Sequence, residues 1–88
     1  MNKYYVYILK DEKGKFYIGS TNDLERRLYQ HSKKHTHTTL RMKRPIVVLK
    51  QEYLTLTEAR AVEKKIKKLK RKDYIEKMVK DGYIKIKP

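Results

Sequence analysis

Tyr4-Tyr5-Val6-Tyr7-Ile8-Leu9 and Lys15-Phe16-Tyr17-Ile18-Gly19 are aromatic and β-branched runs on either side of the turn-forming segment Asp11-Glu12-Lys13-Gly14. This composition predicts a β-hairpin. Alternation along the first strand puts Tyr5, Tyr7 and Leu9 on one face and Tyr4, Val6 and Ile8 on the other, so both faces need cover. Helices on at least one side are expected to supply it.

The following segment, Asn22-Asp23-Leu24-Glu25, has an Asn in N-cap position and a Glu three residues on, the pattern of a capping box. It predicts a helix from Asp23 to about Ser32, with Leu24 and Leu28 on one stripe and Arg27 and His31, one turn apart, beside it. From Ser32 to Pro45 the chain is basic and hydroxyl-rich without a period, and reads as a loop. Ile46 to Tyr53 is the expected third strand. Thr55-Leu56-Thr57-Glu58 predicts a second capping box, opening a helix with the apolar stripe Ala59, Val62, Ile66 and Leu69. A last helix is expected over Asp73 to Lys80, with Asp73 and Glu76 as cap partners, Ile75, Met78 and Val79 inward, and Gly82 just beyond its end. The predicted fold class is α/β: a small three-stranded antiparallel sheet with helices packed against it.

Length and charge bound the function. The chain has 88 residues, enough for one domain over residues 1–88 and a modest core that buries about 60 to 65 per cent of the unfolded surface. Its 24 basic and 10 acidic residues give a net charge of +14, which favours nucleic acid over other polyanionic partners. The absence of cysteine excludes disulfides, thiolate zinc sites and a thiol nucleophile, and suits a reducing cytoplasm. The longest apolar run, Tyr4 to Leu9, is too short for a spanning helix or a signal-peptide core. A soluble, cytoplasmic protein is therefore expected.

Tyr5-Val6-Tyr7, Tyr17-Ile18-Gly19 and the segment from Ser20 to Arg27 resemble the two tripeptides and the arginine-bearing helix of the GIY-YIG nuclease family. The similarity runs from about Lys3 to Tyr74. Tyr5 and Val6 replace the family's Gly and Ile, and Ser20-Thr21 stands where the excision-repair incision subunit has a lysine. The helix after Glu58 resembles the one that carries the family's metal-binding glutamate, and Glu63 is its best counterpart. In length the chain is similar to small stand-alone bacterial members related to that subunit's N-terminal domain.

The resemblance implies a metal-dependent endonuclease that hydrolyses DNA phosphodiester bonds, in repair or recombination. It implies Tyr7 as base or water-positioning group, Tyr17 as its support, Arg27 on the scissile phosphate, and Glu63 as ligand of one Mg2+ or Mn2+. Each role suits the chemistry, which needs an activated water, charge stabilisation on phosphoryl oxygens and help for the leaving oxygen. A phenol of pKa about 10 needs a proton acceptor or positive charge nearby to favour its phenolate, and His31 and Arg27 are the available groups. Gly19 would let backbone and substrate approach. Lys64, Lys67, Lys68 and Arg71, part of a basic cluster, are expected to contact the nucleic-acid backbone without reading bases.

Structural roles compete with each of these. Tyrosines are common strand residues that pack; Arg27 could pair with Asp23, His31 could cap its helix, and Glu63 could pair with Lys67 at four-residue spacing. His35-Thr36-His37 has too few ligands for zinc. The main alternative to an enzyme is a non-catalytic nucleic-acid-binding module of the same fold. A basic protein of a ribonucleoprotein or an anionic membrane surface, with the tyrosines as core, is a third reading.

Overall fold

A computed structural model describes residues 3–33, 45–69 and 71–88, the side chains of His31 and Ser32 excepted. The loop expected between Ser32 and Pro45, with His35 and His37, lies largely outside them, as does Lys70 of the basic cluster. The elements are β1 (Tyr4–Lys10), β2 (Phe16–Thr21), α1 (Leu24–Ser32), β3 (Ile46–Tyr53), α2 (Leu56–Leu69) and α3 (Lys72–Asp81). The strands form one antiparallel sheet in the order β2-β1-β3. The hairpin, the third strand and the helices stand where the sequence predicts them.

β1 is central, and both of its faces are covered. On one side Val6, Ile8, Ile18, Leu49 and Tyr53 meet Ala59, Val62 and Ile66 of α2 and Ile75 and Met78 of α3. On the other, Tyr7 and Leu9 pack with Tyr17, Val47 and the α1 residues Leu24 and Leu28. A bulge explains how β3 serves both sides. Ile8 pairs with Leu49 but Leu9 pairs with Val47, so Val48 is an extra residue, and Val48 and Leu49 both join the α2 and α3 side. Strict alternation would send one of them to the opposite face.

Helix ends follow the sequence in part. The Thr55 hydroxyl accepts the Glu58 backbone N–H at 3.1 Å, the N-cap bond expected of the second capping box. At α1 the cap is Asp23 and not Asn22: the Asp23 carboxylate accepts the Arg26 N–H at 3.1 Å. Both residue types cap well; here the Thr21 hydroxyl accepts the Asp23 N–H at 3.1 Å, and it is Asp23 that precedes the first helical residue. The Asp73 and Glu76 pairing is likewise corrected. Arg71 is the N-cap of α3 and makes no side-chain cap bond, while Asp73 lies within the first turn and pairs with Arg71 at 3.0 Å. At the other end Gly82 adopts φ 83°, and its N–H reaches the Met78 carbonyl, the stop expected there.

After α3 the chain returns to the sheet. The Gln51 side chain accepts the Ile84 N–H at 2.7 Å and donates to the Ile84 carbonyl at 3.4 Å, so one amide group satisfies both main-chain groups of a buried residue. Among the described residues no helix is long and apolar enough to cross a membrane.

Candidate functional site

The tyrosines meet at the outer strand of the sheet. Tyr7 pairs across the sheet with Gly19, and its ring lies over that glycine: a Cβ on Gly19 would stand 2.5 Å from the Tyr7 Oη and 2.6 Å from its Cζ. The close approach that Gly19 permits is therefore that of the Tyr7 phenol, where the sequence suggested substrate. Lodged there, Tyr7 is 1% exposed, its ring centroid is 6.3 Å from that of Tyr17, and its hydroxyl is hydrogen-bonded to Tyr17.

Burial governs the protonation of Tyr7. It pushes the phenol pKa well above the ordinary value of 10.0; Tyr17 pushes the same way, the Arg27 guanidinium pulls it down, and Glu63 pushes it up again. Arg27 does supply the expected positive charge, but desolvation outweighs it. Neutral near pH 7 like any free phenol, Tyr7 is here moved still further from ionisation, which suits it to hold a water by hydrogen bonding rather than to act as a standing phenolate.

This state is linked to stability. The folded protein holds the Tyr7 proton more tightly than the unfolded chain does, so the contribution is complete below pH 10 and declines as pH rises above it toward the elevated folded value. Tyr53, also raised by burial, adds to the same alkaline loss. Tyr7→Phe is expected to show a shallower fall in urea midpoint between about pH 9 and 12. Equal slopes in the two proteins would show that burial does not hold this proton.

Glu63 approaches from α2, which packs across β1 and β2 on the face opposite α1. Its Oε1 accepts the Ser20 hydroxyl, and its Oε2 lies 2.7 Å from the Lys67 Nζ. Ser20 pairs with Val6 and so points to the α2 face, one residue along from Gly19. Lys67 reaches round the same edge, its Nζ being 5.9 Å from the centre of the Tyr17 ring. The groups are arranged around the outer edge of β2, phenols and Arg27 from one face, carboxylate and ammonium from the other.

Of the predicted site residues, Tyr7, Tyr17, Arg27 and Glu63 share this electrostatic neighbourhood. His31 lies on α1 one turn beyond Arg27, its side chain outside the described residues. The ion pair considered for Arg27 is made by its neighbour: Arg26 is the residue 4.0 Å from Asp23. The one considered for Glu63 is present. Lys64 and Lys68 are exposed on α2, Arg71 is engaged with Asp73, and Lys67 faces the site itself. Sequence reasoning did not find Ser20, whose partner lies 43 residues away and leaves no local signal. Tyr74 on α3 lies beside Lys65, Lys68, Leu69 and Ile86.

Among the described residues no three His, Cys, Asp or Glu side chains cluster as metal ligands. One carboxylate beside a hydroxyl is a sparse oxygen donor set, which fits a hard cation that keeps most of its waters and takes substrate oxygens.

The model of the GIY-YIG catalytic domain matches residues 3–78. The chain belongs to the GIY-YIG family. This nuclease family's domain makes the chain nuclease-like. Among similar proteins, the UPF0213 protein of Staphylococcus saprophyticus is 31% identical over 83 residues, covering 93% of this chain and 100% of the relative. That of Enterococcus faecalis is 38% identical over 72 residues, covering 78% and 82%. The solution NMR structure of a UPF0213 protein from Bacillus halodurans matches with a TM-score of 0.59 at 30% identity, over 91% of this chain and 86% of that one. This GIY-YIG chain thus has the α/β fold of a UPF0213 structure.

Proposed function

We propose that this protein is a metal-dependent endonuclease that hydrolyses DNA phosphodiester bonds, acting in DNA repair or recombination. The observation that carries the reading is the convergence of Tyr7, Tyr17, Arg27 and Glu63 at the outer edge of β2. A net charge of +14 supports a polyanionic substrate.

Tyr7 positions the attacking water, its neutral hydroxyl fixed by Tyr17. Arg27 holds the scissile phosphate, offering two parallel N–H donors to its oxygens. His31, one turn further along α1, takes the proton that Tyr7 cannot accept. Glu63 holds Mg2+ or Mn2+ through its carboxylate. The bound ion supplies charge neutralisation at the leaving oxygen. Lys64, Lys68 and Arg71 contribute salt-sensitive contacts to the DNA backbone.

The competing reading is a nucleic-acid-binding module without catalysis, and one observation favours it: both oxygens of Glu63 already have protein partners. Incubation of labelled branched, flapped, nicked and single-stranded DNA with Mg2+ distinguishes the two. Cleavage that requires the ion and falls about 10²- to 10³-fold in a folded Arg27→Ala variant is expected. Salt-sensitive binding with no cleavage of any substrate would select the binding module, and an undiminished rate in Arg27→Ala would remove that residue from the site.

A further inference from the structure

The pairing of Glu63 with Lys67 bears on how the site acquires its ion. Ser20 fixes one carboxylate oxygen from the sheet, and Lys67 holds the other from the same helix. The two partners differ in freedom. Ser20 sits on a strand, whereas the Lys67 side chain is 51% exposed and the Glu63 side chain 18%. A long, half-exposed side chain can leave without disturbing the core; a strand hydroxyl is held in place by the sheet.

We propose that Lys67 is a built-in competitor of the divalent cation at Glu63. Its ammonium occupies the Oε2 oxygen in the metal-free protein and has to withdraw for a cation to take that oxygen, while Ser20 keeps the carboxylate oriented throughout. The inference rests on the assignment of Glu63 as metal ligand made above. The physical ground is that an ammonium and a hydrated divalent ion both need the outward oxygen, and the carboxylate there cannot serve both at full strength. The Tyr17 ring, 5.9 Å from the Nζ, gives the ammonium a second favourable surface, which keeps it at the edge of β2. The consequence is a site that stays charge-compensated without metal and loads only when the free ion concentration is high enough to displace an intramolecular partner.

The test is direct titration of the full chain with Mn2+, free ion being followed by its room-temperature EPR signal, in the absence of DNA. Lys67→Met is expected to bind Mn2+ about 3- to 10-fold more tightly than the parent. Lys67→Gln, which keeps a polar side chain without the charge, should behave the same way, and Lys67→Arg, which can restore the pair, should stay near the parent. Lys64→Met controls for the general field, because Lys64 adjoins Glu63 in the chain but is turned about 100° round the helix. It should shift the affinity less than Lys67→Met does.

Unchanged or weaker binding in both Lys67→Met and Lys67→Gln would overturn the proposal, as would an equal gain in Lys64→Met or no Mn2+ bound by any variant. The readout does not depend on cleavage. Tighter Mn2+ binding in a protein that cuts no DNA would uphold the role of Lys67 and refute the nuclease reading, whereas cleavage lost in Glu63→Gln alongside equal Mn2+ affinity in parent and both Lys67 variants would do the reverse.

Discussion

Glu63→Gln is expected to lower metal-dependent cleavage about 10²- to 10³-fold while the protein remains folded. The substitution keeps the size and shape of the side chain, and its amide oxygen can still accept the Ser20 hydroxyl. It removes the negative charge that a hard cation requires. It also leaves Lys67, now 2.7 Å from a carboxylate oxygen, facing a neutral group. Because that lysine is half exposed, the lost ion pair should cost only about 0 to 1 kcal/mol of stability. The informative comparison is cleavage rate against urea midpoint. A large fall in rate at nearly constant stability assigns Glu63 to the chemistry, whereas an unchanged rate would reduce it to an intrahelical ion-pair partner.

The second large effect is expected at Gly19. This glycine is not conserving a left-handed turn: Gly14 and Gly82 are the glycines with positive φ. Its restriction comes from the ring above it. In Gly19→Ala the new methyl would fall 2.5 Å from the Tyr7 Oη and 3.1 Å from its Cε1, distances that force a shift. Tyr7 has little room to yield, being nearly fully buried against Leu9, Tyr17, Leu24, Leu28 and Val47. Either the phenol rotates away from Tyr17 or the edge strand moves outward. The expected cost is about 1 to 3 kcal/mol of stability. Because a displacement of about 1 Å can cost on the order of 10²-fold in rate, cleavage should fall further than stability alone explains. Urea unfolding and single-turnover cleavage of the same preparation test this, and an unaltered midpoint with a parental rate would show that Tyr7 does not rest on Gly19.

The two strands and the turn of the hairpin were legible because Tyr, Val and Ile runs bounded by Asp11 to Gly14 have a local meaning. Ile46 to Tyr53 was legible for the same reason, and its bounds agree with β3. Helix faces followed from periodicity: Ala59, Val62 and Ile66 are buried, although Leu69 at the end of α2 is 36% exposed. What local pattern could not rank was two equivalent signals side by side. Asn22 and Asp23 are both good caps, and Arg26 and Arg27 both lie within reach of Asp23. The tertiary path of the chain gave the cap to Asp23 and the ion pair to Arg26. Gln51 shows the same limit in a strand, since nothing near it signals a partner 33 residues away.

From the order of its residues alone, this chain specified a hairpin, a third strand and amphipathic helices, because these depend on neighbours a few positions apart; the tyrosine, arginine and glutamate set, spread from Tyr7 to Glu63, was suggested only by resemblance to the GIY-YIG family. Only the folded sheet decided that Tyr7 is buried over Gly19 and holds its proton more tightly than a free phenol, and that Ser20 and Lys67 close on Glu63 round the edge of β2. Those properties depend on desolvation and on contacts between distant segments, and both arise only when β2, α1 and α2 are brought together.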